Sequence, residues 1–64
     1  VSFEITFIFW KPLPNGKESI VIKQQTNFDE ATAVFIATIR LIERLKLSPN
    51  QVWRRVKDIT SKRV

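Results

Sequence analysis

From Val1 to Trp10 the chain alternates without a break. Val1, Phe3, Ile5, Phe7 and Phe9 fall on one side, and Ser2, Glu4, Thr6, Ile8 and Trp10 on the other. Period two in aromatic and β-branched residues predicts a strand. That constrains the rest of the chain, because a single strand or a bare hairpin is marginal in water and must be covered. The far side changes along its length, polar at first and apolar at Ile8 and Trp10.

Lys11-Pro12-Leu13-Pro14-Asn15-Gly16-Lys17 reads as a turn, since proline fixes φ and Asn-Gly takes positive φ readily. Glu18 to Thr26 then predicts a second, antiparallel strand, with Phe3, Ile5, Phe7, Phe9, Ile20 and Ile22 facing the core. Asn27, three residues before Glu30, has capping-box spacing and predicts a helix from Phe28 to about Lys46. Its apolar face is expected at Ala31, Val34, Phe35, Thr38, Ile39, Leu41, Ile42 and Leu45, with Ala33, Ala37, Arg40 and Arg44 opposite. Ser48, Pro49 and Gln51 give a second capping box with proline at the first helical position. A second helix is expected from there, with Val52, Trp53, Val56, Ile59 and Thr60 as its buried stripe. Residues 1–64 thus read as one small α+β domain, an antiparallel β-hairpin followed by a two-helix hairpin (ββαα). Self-association is expected through the sheet, at the open edge of the first strand.

A chain of 64 residues buries only about 60% of its unfolded surface. It has no cysteine and no histidine, so neither disulfides nor the usual zinc sites can staple it. With 44% hydrophobic residues, five Phe and two Trp, dense packing can serve instead. The same inventory argues against an enzyme. There is no Cys, His or Tyr, the six carboxylates are dispersed, and a single glycine excludes a phosphate-cradling loop. No catalytic residue, metal, cofactor or small-molecule substrate is expected. No apolar run reaches the length of a membrane span, and Val1 to Trp10 lacks the basic flank of a cleavable signal. A cytoplasmic protein is the expectation.

The net charge of +5 favours an acidic partner. Leu45-Lys46-Leu47-Ser48-Pro49-Asn50-Gln51-Val52-Trp53-Arg54-Arg55-Val56-Lys57 resembles the turn and recognition helix of bacterial helix-turn-helix regulators, the leucine-responsive regulators above all. The likeness is confined to that stretch. It departs from the pattern at Lys46, where glycine is usual, and at Ile42, where a small residue is usual. The resemblance implies a second helix in the major groove, with Asn50, Gln51 and Arg54 at base edges and Arg55, Lys57 and Lys62 on phosphates. The competing expectation is a protein-binding module, an adaptor or inhibitor that docks by the hairpin edge and an exposed Ile8, Trp10 and Val21 cluster.

Overall fold

The computed structural model describes residues 1–26 and 29–64. The elements run β1 (Ser2–Phe9), β2 (Ser19–Gln25), α1 (Glu30–Leu45), α2 (Pro49–Arg55) and β3 (Val56–Arg63). This is a small α+β fold in which the ββαα order holds and a third strand follows. The sheet is antiparallel throughout, in the order β2-β1-β3.

The third strand corrects two expectations. Helix α2 stops at Arg55, so Lys57 and Lys62 lie on β3 rather than on a recognition helix. β1 is the central strand, with both edges paired, so it offers no open edge to a partner. The physical reason lies in a bulge. Val56 pairs with Phe9 and Asp58 with Ile8, which leaves Lys57 as an extra residue. Val56 and Ile59 therefore share the core-facing side although they are three apart, a helical spacing. Completing a hairpin that is marginal alone outweighs extending a helix by two turns.

The inner face of the sheet is as the alternation predicts. Phe3, Ile5, Phe7, Phe9 and Ile22 are buried and Ile20 is half-buried. The hairpin loop adds Leu13, whose N–H donates to Lys17 O at 2.8 Å and whose carbonyl accepts from Gly16 N–H at 2.8 Å. Gly16 takes φ 83°, the left-handed conformation expected of Asn-Gly.

Helix α1 starts at Glu30 and is capped by Asp29, whose Oδ1 accepts from Thr32 N–H at 2.9 Å and Thr32 Oγ1 at 2.8 Å. The expected cap at Asn27 and start at Phe28 fall on residues outside those described. The helix ends on Lys46 in the left-handed conformation, φ 56°, with its N–H donating to Ile42 O.

The fully buried face of α1 is Ala33, Ala37, Thr38 and Leu41, with Val34, Ile42 and Leu45 half-buried beside it. The expected face thus holds at Val34, Thr38, Leu41, Ile42 and Leu45 but is rotated toward Ala33 and Ala37, two residues expected opposite. Phe35 and Ile39 remain 66% and 42% exposed. Large phenylalanines already fill much of the inner sheet face, so α1 packs there through the small Ala33 and Ala37 together with Thr38 and Leu41. Arg40 stays exposed at the flank and ties α1 to β2, its Nη1 donating to Lys23 O at 3.1 Å and Gln24 Oε1 at 2.9 Å.

Helix α2 has the expected capping box. Ser48 Oγ accepts from Gln51 N–H and Ser48 N–H donates to Gln51 Oε1, with Pro49 in the first turn. Val52 is fully buried, but Trp53 is 50% exposed rather than part of the core.

Candidate nucleic-acid interface

Proline at position 12 and the start of the loop end β1 just before Trp10. There the Trp10 N–H donates to Arg55 O at 2.9 Å, which fastens the end of β1 to the end of α2. The indole itself is 66% exposed. Trp10, Lys11, Leu13, Arg54 and Arg55 line one pocket of about 190 Å³. Lys57, the bulge residue, holds its Nζ 5.6 Å from the centre of the Trp10 ring, within cation–π reach. An exposed aromatic ring is thus surrounded by four cationic side chains, and the pocket lining contains no carboxylate.

The residues singled out from sequence separate into groups. Arg54, Arg55 and Lys57 meet around Trp10. Asn50 and Gln51 sit in the first turn of α2, exposed, and Gln51 Oε1 is engaged in its own cap. At 1.5 Å per residue the seven-residue α2 is only about 10 Å long. Lys62 lies toward the far end of β3, on the outer sheet face, opposite Glu4. Lys23 flanks Glu4 on its other side, so the outer face carries a Lys23–Glu4–Lys62 row away from the Trp10 pocket.

Of the expected Ile8, Trp10 and Val21 cluster, Ile8 and Val21 stand diagonally across the β1–β2 pairing, whereas Trp10 and Val21 lie apart. Ile8 is half-buried between Ser19 and Asp58. Val21 pairs with Thr6, four residues before Trp10, which is roughly 13 Å along the strand. It lines a different groove, with Asn15, Lys17 and Arg44. Lys11 and Leu13 were missed as site residues. The available signal was the Pro-Leu-Pro run directly after Trp10-Lys11, which stops the strand and folds Leu13 back beneath the indole's pocket.

Among the described residues, no helix is long and apolar enough to cross a membrane, and no group of three or more His, Cys, Asp or Glu residues could hold a metal ion. Comparison with protein-family models, with curated proteins and with solved structures gives no match.

Proposed function

We propose that this chain is a non-catalytic nucleic-acid-binding module that needs no cofactor and receives a single strand at Trp10. The observation that carries the reading is the exposed indole with Lys11, Arg54, Arg55 and Lys57 around it. A base stacks on an aromatic face whatever its identity, and such a stack contributes about 1–3 kcal/mol. The surrounding cations supply the positive charge that the phosphates flanking a stacked base would meet.

This reading keeps the expected basic end of α2 but moves the contact from base edges in a major groove to a stacking platform. The short α2, its immediate continuation into the sheet and the engaged Gln51 amide all favour the platform. Fluorescence anisotropy with a labelled single-stranded oligonucleotide tests it. Trp10→Ala is expected to weaken binding by roughly 5- to 150-fold with the salt slope unchanged, since stacking releases no counterion. The double change Arg54→Ala plus Arg55→Ala is expected to flatten the slope by about 1.4. Absence of binding at low salt, or a Trp10→Ala variant that binds as tightly as the parent, overturns the proposal.

A further inference from the structure

Ala31, Val34, Phe35, Thr38, Ile39 and Ile42 of α1, with Trp53 of α2, line an open groove of about 350 Å³ along the flank of α1 beside α2. Phe35, Trp53 and Ile39 are 66%, 50% and 42% exposed there. We infer that this face is the contact between two copies of the chain, related by a two-fold axis that sets their α1 helices antiparallel. The inference does not depend on the nucleic-acid reading.

Three features select a second copy as the occupant. The first is self-complementarity. Phe35 and Ile39 straddle the midpoint of α1 (Glu30–Leu45), so a two-fold axis there places Phe35 of each copy against Ile39 of the other. A projecting ring and the groove that accepts it are on the same surface, as an isologous contact requires.

The second is charge. Asp29 and Glu30 stand at the N-terminal end of α1 and Lys46 at its C-terminal end, while Arg44 lines the groove beside β2 and Glu43 is exposed in the last turn. Antiparallel pairing sets Asp29 of each copy beside Lys46 of the other and opposes the two helix dipoles favourably, whereas parallel pairing sets like ends together.

The third is area. At 150–250 Å² for a buried aromatic, the three side chains expose roughly 300 Å² per chain. Two copies thus bring about 600 Å² of apolar surface together, the apolar share of an interface near 1,000 Å², the lower bound for specific association. Both edges of β1 are already paired, so the hairpin route to a dimer by that strand is closed.

Light scattering over a concentration series into the high micromolar range should give twice the 7.5 kDa of one chain. Phe35→Asp should return the mass to that of one chain, and Ile39→Asp should do the same by an independent change. Circular dichroism verifies that each variant is folded. Orientation is read by oxidation, because the natural chain has no cysteine. A mixture of Ala31→Cys and Ile42→Cys chains should cross-link faster than either variant alone. A single-chain mass for the unaltered protein overturns the inference. So does a folded Phe35→Asp or Ile39→Asp variant that keeps the doubled mass. Self-cross-linking of each cysteine variant as fast as the mixture also overturns it, since that marks a parallel pairing.

Discussion

Lys57 reaches the Trp10 ring, 5.6 Å from its centre, from the position where β3 carries one residue more than β1. The bulge between the Phe9–Val56 and Ile8–Asp58 pairs re-aims a side chain, which is a common use of such irregularities beside functional surfaces. Exposed cation–π contacts contribute about 0.5–1 kcal/mol. Lys57→Ala is therefore expected to lower stability by no more than about 1 kcal/mol. In oligonucleotide binding the same variant should lose about 0.7 from the salt slope, one phosphate's worth for a single strand. Urea titration and anisotropy at several salt concentrations measure the two effects separately.

That bulge also explains which parts of the fold were legible in the sequence. β1, β2, their pairing and the α2 capping box follow from local signals that agree with the final packing: strict alternation, Asn15-Gly16, and Ser48-Pro49 with Gln51. β3 was hidden because the extra residue puts Val56 and Ile59 at helical spacing. The candidate site was half legible for the same reason. Arg54, Arg55 and Lys57 stand out as a basic run. Their meeting with Trp10 depends on β3 returning beside β1, a contact between residues nearly fifty positions apart.

The rotation of the buried face of α1 toward Ala33 and Ala37 has a different origin, and Ala37 tests it. Amphipathic patterning assigns Phe35 and Ile39 to the core, but here the sheet supplies the aromatic bulk and α1 supplies clearance at Ala33 and Ala37. Ala37 is fully buried against the sheet, while Phe35 on the same helix is largely exposed. Ala37→Leu should overpack this layer and destabilise by about 1–3 kcal/mol. A buried phenylalanine costs about 3–5 kcal/mol when cut to alanine. Phe35→Ala should cost well under that in the isolated chain. Urea unfolding at dilute, single-chain concentration decides the comparison. A larger loss at Phe35 than at Ala37 contradicts the placement of α1.

Lys46 departs from the glycine usual in the helix-turn-helix turn, yet it adopts the conformation that glycine favours, φ 56° and ψ 38°. The left-handed region costs a residue with a Cβ roughly 1–2 kcal/mol. Glycine is the common solution immediately after a helix end. Lys46→Gly should therefore stabilise the domain by about 0.5–1 kcal/mol, once the greater freedom of glycine in the unfolded chain is deducted. The helix ends should be unchanged by circular dichroism, since the bond from residue 46 N–H to Ile42 O needs no side chain.

Asp29 links the stability of α1 to pH. Its carboxyl is held below the ordinary value of 3.8, first by the backbone N–H of Thr32, then by the Thr32 hydroxyl. Because the folded chain favours the carboxylate more than the unfolded chain does, this contribution is present in full above the ordinary carboxylate range. It disappears as pH falls below the unfolded value and through the lowered folded one. Asp29→Asn keeps a good capping residue but removes the titration. Urea midpoints for the parent should fall between neutral pH and about pH 2, and those for Asp29→Asn should fall less, with near-equal stability at neutral pH. An identical acid dependence in the two proteins assigns the titration to other carboxylates and removes the Asp29 cap from the account of helix stability.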